Sequence, residues 1–225
     1  MSYNLLFLST LVSEEFTDTA AIIATALIAL LLVIIALFTA RKKLNTKEIV
    51  YAGVAISASF VLSFIKFAPV QYGGSITLAS FVPLIVYCYF FGFVKSLLAT
   101  LIYGLLQFIQ DPYVLTPATF ALDYLLAFAA ISVAGLFKNN QGMSALKTTL
   151  CVCSVYLTRF IMHFISGVIY FNEGMVWANL PANSAIGYSL LYQVVYLVPD
   201  MIICLVVMLI INQSGILQKI KPKTN

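Results

Sequence analysis

Residues 157–171 read LTRFIMHFISGVIYF, and the fold is decided by how this run is read. Its apolar side chains suit a membrane-spanning helix, yet Arg159 and His163 stand inside it, four residues apart. Four residues are about one helical turn, so both side chains point the same way, and Gly167 continues that face. A guanidinium in hydrocarbon costs roughly 2.5 kcal/mol or more on insertion scales, and it is tolerated where it faces a protein interior or a polar cavity. His163 is also the only histidine in the chain. The pair predicts a helical membrane bundle with a polar pocket.

Composition agrees. The 225 residues are 62% apolar and only 9% charged, and the mean hydropathy is +1.03. A soluble domain carries about 25% charged residues. Too few charges are present to coat a soluble globule of this size, so the chain belongs in a bilayer. The net charge of +4 is no nucleic-acid signal, because the basic residues are scattered in short clusters between apolar segments. Cys88, Cys151, Cys153 and Cys204 lie inside apolar segments. The Cys151–Cys153 spacing fits neither a CxxC redox pair nor a zinc knuckle, so all four read as small core residues.

The run from Thr19 to Ala40 is long enough to span, and it ends at Arg41-Lys42-Lys43. The preceding residues lack a basic region and carry Glu14, Glu15 and Asp18. They read as the outer flank of a retained helix rather than as a signal peptide. Six further spans are expected at 48–66, 76–92, 94–110, 117–137, 145–171 and 185–212, joined by short segments rich in turn residues. The chain thus divides into an extra N-terminal transmembrane helix with a basic linker (1–47), a six-helix membrane domain (48–212) and a basic tail (213–225). Arg41, Lys42, Lys43, Lys47, Lys95, Lys138, Lys147, Lys219, Lys221 and Lys223 all fall on one side of this layout. The positive-inside rule makes that side cytoplasmic, with the N-terminus outside and the C-terminus inside. Lys66 and Arg159 break the pattern. Lys66 is close enough to the outer end of its span to snorkel.

On this topology His163 lies roughly 12 Å below the outer end of its helix. Asp123 sits just inside the outer end of its own span, and Tyr188 and Gln193 lie in the outer part of the last one. All converge at similar depth, which predicts a cavity opening outward. Arg159 either faces that cavity or pairs with Asp123. Asp200, after Pro199, lies deeper and reads as a structural partner, a kink residue or a ligand. Trp177 reads as an interfacial anchor or as a lid. No phosphate-binding glycine loop, HExxH metal site or GxSxG nucleophile elbow is present. Binding is therefore the expected task, with no metal, cofactor or catalytic residue.

Four strings carry a resemblance. They are Gly73-Gly74-Ser75-Ile76-Thr77-Leu78 with Val82-Pro83-Leu84, the run Leu122 to Phe128, the run Arg159 to Gly167, and Tyr188 to Gln193 with Tyr196 and Pro199. In this order they resemble the thiamine-specific substrate-binding subunit (S component) of energy-coupling factor (ECF) vitamin transporters, over about residues 48–212. The resemblance implies that the chain is not an enzyme. It implies binding of thiamine at the outer face of a bacterial cell membrane, with two ATPase subunits and a transmembrane T component as the partners expected to drive release inside. It further implies substrate contacts from Asp123 and Tyr124, from Arg159, His163 and Gly167, and from Tyr113, Phe171, Tyr188 and Gln193. Some family members have Lys, Trp and Asn where this chain has Arg159, Phe171 and Gln193, so a thiamine precursor or another cationic heterocyclic vitamin is the alternative ligand. From a different class, an intramembrane enzyme would use Asp123, His163 and Asp200 in acid–base work. Gly53, Ala55, Ser57 and Ser59 offer small residues four apart on the first family helix, a strip that permits close approach of the T component.

Overall fold

The computed structural model describes residues 44–70, 73–138, 143–172 and 184–222. The helix expected over Thr19–Ala40, the basic cluster Arg41–Lys43 and Trp177 lie outside the described residues. Helix α1 (Thr46–Ser63) starts at a capping box, in which the Asn45 side chain accepts from the Glu48 N–H and Glu48 reaches back to the Asn45 N–H. Strands β1 (Lys66–Pro69) and β2 (Ser75–Thr77) follow as an antiparallel ribbon. Helices α2 (Val82–Phe91) and α3 (Phe93–Gln110) meet at Gly92. Next come α4 (Pro117–Phe137), α5 (Ala145–Asn172), α6 (Ala185–Gln213) and the short α7 (Ile216–Lys219).

The result is an all-helical, multi-spanning bundle carrying one small ribbon. Among the described residues, four helical segments are long and apolar enough to cross a membrane: Phe93–Gln110, Pro117–Phe137, Ala145–Ile169 and Ala185–Gln213. Two expected spans are corrected. The segment expected as one helix over 76–92 is a strand to Thr77, a corner, and then a helix of only 10 residues, about 15 Å long. β-Branched Ile76 and Thr77 pair with the preceding strand, and Pro83 opens the helix. A short apolar run does not by itself distinguish strand from helix. The span expected over 48–66 stops at Ser63, and Lys66 belongs to β1.

The bundle is apolar outside, and its apolar core also holds buried polar side chains. On α5, Leu157, Ile161 and Ile165 form an exposed stripe at helical spacing, while Arg159, His163 and Ser166 are buried on the other side. On α6, Ile202, Val206 and Ile210 repeat the outward pattern, with Gln193 and Asp200 inside. Lipid provides no drive to bury apolar stripes, so this inversion is the one a bilayer selects. The centre is aromatic: Tyr103 and Phe128 meet edge-on with centroids 5.3 Å apart, and Phe81 lies 6.0 Å from Phe128.

The expected docking strip on α1 does not exist as one surface. Two residues along a helix turn about 200°, so Gly53 and Ser57 face away from Ala55 and Ser59. Gly53 and Ser57 are exposed beside Val50, Val54 and Val61. Ala55 and Ser59 are buried in the bundle and unavailable to a partner.

Helix α4 changes its winding along its length. It opens with an α turn at Pro117–Phe120, capped by Thr116, and widens to a π turn over Ala121–Leu126. After a short α stretch it tightens to a 3-10 helix over Ala130–Phe137. It packs closely on α3, where a Cβ at Gly104 would lie 2.0 Å from the Tyr124 carbonyl oxygen. Gly104→Ala should therefore lower the unfolding free energy of the detergent-solubilised protein by about 1–3 kcal/mol. A Cβ at Gly53 meets nothing within 4 Å, so Gly53→Ala should stay within about 0.5 kcal/mol. Thermal unfolding of the two variants side by side checks both.

Candidate functional site

Helices α3, α4, α5 and α6 and the ribbon enclose a cavity of about 110 Å³. Helix α5 supplies Arg159, His163, Gly167 and Phe171 as a stripe of every fourth residue. Helix α6 adds Tyr192, Gln193 and Tyr196. The π turn of α4 brings Asp123 and Tyr124, and the ribbon side closes with Gly73, Gly74 and Ser75. Widened turns of this kind recur at functional sites because they re-aim side chains that an α turn would rotate past.

Asp123 is the electrostatic centre. One carboxylate oxygen lies 2.7 Å from His163 Nδ1, and the other accepts from the Ser166 hydroxyl at 2.5 Å. Because Nδ1 is the ring nitrogen that meets the carboxylate, Nε2 lies on the far side of the ring from it. Nε2 is buried and has no partner.

Arg159 does not pair with Asp123. Its guanidinium lies between two phenyl rings, 4.4 Å from the Phe81 centroid and 4.3 Å from the Phe128 centroid. Cation–π contact on both faces offsets part of the desolvation cost. The planar edge stays available, with Nε and Nη1 buried and unpartnered. Gln193 donates from Nε2 to the His163 carbonyl at 3.0 Å, which leaves its own Oε1 buried and unpartnered. Arg159, His163 and Gln193 thus all line the cavity, and each carries a buried polar atom without a protein partner. Buried groups left in this state each cost roughly 1–3 kcal/mol unless a ligand or water meets them.

The remaining walls are aromatic and tied down. The Tyr124 hydroxyl donates to the Asp111 carbonyl at 2.6 Å and accepts from the Tyr113 N–H at 2.8 Å. Phe171 packs against Tyr188 at 5.6 Å and Tyr192 at 5.9 Å. Gly167 lets α5 and α6 approach, because a Cβ there would lie 2.4 Å from Ser189 Oγ and 3.1 Å from Gln193 Nε2. At the rim Lys66 bridges to Asp111 at 2.9 Å.

Of the residues expected at the site, Tyr113, Asp123, Tyr124, Arg159, His163, Gly167, Phe171 and Gln193 line the cavity. Tyr188 does not, and it backs Phe171 instead. Asp200 is also absent from the lining. It is bonded to Thr77 and Tyr156 beneath the cavity. Sequence reasoning missed Lys66, Gln107 and Asp111 at the rim, Tyr192 and Tyr196 on α6, and Ser166 beside Asp123. For Ser166 a signal existed, since it follows His163 by three residues on the same face. Among the described residues no group of three or more His, Cys, Asp or Glu is placed to hold a metal ion.

The comparisons with known proteins cover this whole region. The family model for Thiamine transporter protein (Thia_YuaJ) matches residues 49–219, which include every cavity residue. Thiamine transporter ThiT of Bacillus subtilis (strain 168) is 27% identical over 181 residues, spanning 75% of this chain and 91% of that protein. A solved structure of ThiT from Listeria monocytogenes superimposes with a TM-score of 0.63 at 20% identity, over 76% of this chain and 97% of that one. That superposition shows a shared fold. With three-quarters of its length matched by the family model, the chain belongs to the thiamine transporter protein family.

Proposed function

We propose that the chain captures thiamine from the outer face of the membrane as the S component of an ECF-type uptake transporter. Membership of a transporter family assigns it binding and transport rather than catalysis. The observation that carries the substrate reading is a cavity that sets the Asp123 carboxylate beside Arg159, His163 and Gln193 among aromatic walls. Thiamine joins a permanent thiazolium cation to an aminopyrimidine with donors and acceptors on its edge. A buried carboxylate and aromatic faces suit the cation. Arg159, Gln193 and His163 suit the heterocycle edge. Tyr113, Tyr124 and Phe171 would enclose the ligand, with Tyr188 supporting Phe171 and Gly167 keeping the helices close.

The intramembrane-enzyme reading is weakened by Asp200, whose carboxylate is engaged outside the cavity. A thiamine precursor or another cationic heterocycle remains the alternative ligand. Isothermal titration of detergent-solubilised protein should give one thiamine per chain with sub-micromolar affinity. Affinity no tighter than micromolar would sink the substrate assignment, and a tighter precursor would replace it. Asp123→Asn and His163→Ala should each weaken binding by roughly 2–4 kcal/mol, about 30- to 1,000-fold.

The same reading takes the helices over 48–212 as one substrate-binding membrane domain. The basic clusters, the C-terminus and the 213–225 tail would be cytoplasmic and the cavity mouth outside. A separate T component and two ATPase subunits would then drive release. The surface best suited to the T component is the outward strip of α1, where Gly53 and Ser57 lie among exposed valines. Gly53→Trp and Ser57→Trp should abolish uptake in cells that carry the partner subunits, while thiamine titrations of the purified chain stay unchanged. Normal uptake in both variants would move the docking site elsewhere.

A further inference from the structure

Beneath the cavity lies a carboxylate that the proposed substrate contacts do not use. Asp200 is 3% exposed. One oxygen accepts from the Thr77 N–H at 2.8 Å and from the Thr77 hydroxyl at 2.9 Å, and the other accepts from the Tyr156 hydroxyl at 2.6 Å. None of the ion pairs among the described residues involves it. Three donors therefore hold the carboxylate, and two of them come from one residue of the ribbon.

Thr77 is the last residue of β2, and the corner that follows is strained. The Thr77 hydroxyl gives its proton to Asp200, so the Ser80 hydroxyl, 2.8 Å away, donates to it. Between them Ala79 is buried with φ at 51°, a left-handed conformation that costs a non-glycine residue roughly 1–2 kcal/mol. The corner delivers Phe81, whose ring lies 4.4 Å below the Arg159 guanidinium and 5.9 Å from the Tyr156 ring. In the other direction β2 leads to Ser75 and Gly74, which wall the cavity. Tyr192, Tyr196 and Asp200 share one face of α6 at fourfold spacing. The Tyr192 hydroxyl accepts from the Gly74 N–H at 3.0 Å. One helix face thus grips the strand at both ends.

We propose that Asp200 is a positioning residue for the thiamine site. Its carboxylate pins the Thr77–Phe81 corner, and the corner sets both the Gly74–Ser75 wall and the Phe81 ring under Arg159. The proposal rests on the thiamine reading above. Its test uses the full chain in detergent with Thr77→Val, Thr77→Ser, Asp200→Leu and Asp200→Asn. Hydrogen–deuterium exchange is followed without ligand, and stopped-flow mixing gives thiamine association and dissociation rates. Thr77→Val and Asp200→Leu should speed exchange at residues 74–81 about tenfold, with residues 93–100 unchanged. Both should raise the dissociation rate about tenfold and leave association within about threefold. Thr77→Ser keeps the hydroxyl and Asp200→Asn keeps an acceptor, so both should stay within about threefold of the parent. Should Asp200→Leu fail to fold, the Thr77 pair still decides. Unchanged exchange and rates in folded Thr77→Val would overturn the proposal, as would a uniform loss of protection across the helices. Absence of thiamine binding by the parent would overturn the transport reading instead, and the exchange pattern would still decide the anchor.

Discussion

The structure turns on a guanidinium held between two phenyl rings. Arg159 projects from α5, Phe81 comes from the corner after the ribbon, and Phe128 comes from α4. Three separately built pieces of chain must therefore be in register before the charge is accommodated. In an aqueous protein such a residue would relax towards solvent. In a bilayer the alternatives are costlier, so the stack acts as a strong constraint on how the elements dock. The two rings cover the faces and leave the edge, which makes Arg159 a directional donor instead of a diffuse positive charge.

This arrangement also separates the two acids of the bundle. Asp123 takes His163 and Ser166 as partners and stays at the cavity, whereas Asp200 is satisfied by hydroxyl and amide donors. An Arg159–Asp123 ion pair would have neutralised both groups and left little polarity for a ligand to meet. Because the pair does not form, the cavity keeps a carboxylate and a guanidinium edge with distinct surroundings.

The sequence made one wall of the site legible and left the opposite one obscure. Arg159, His163 and Gly167 were readable because a single helix sets their spacing and polar groups in hydrocarbon stand out, whereas Phe171 came from the resemblance. Asp123 was readable for the same reason, from its depth in its span. The ribbon was not, since Ile76, Thr77 and Leu78 extend an apolar run that fits either kind of element. Tyr192 and Tyr196 stood in one of the strings that carry the resemblance but were not assigned to the site, because which aromatics face inward depends on the rotation of α6 against its neighbours. The α1 strip failed on geometry already present in its numbering: residues two apart cannot share a helix face. The engagement of Asp200 with Thr77 joins residues 123 apart in sequence, and no local pattern reports such a contact.

The π turn of α4 makes the number of residues in this segment matter. An α-helix turns about 100° per residue, so adding one residue to a span would swing everything beyond it to a different side. A π turn absorbs the added residue within one wider loop. In α4 that loop covers Asp123 and Tyr124, while Phe128 just beyond it still reaches Arg159. The wider loop thus lies at the cavity, and the short α stretch beyond it carries Phe128 to Arg159 before the helix tightens to 3-10 winding. Removing one residue from 121–126 would turn Phe128 away from Arg159, so the length of this segment is as much a part of the site as its side chains.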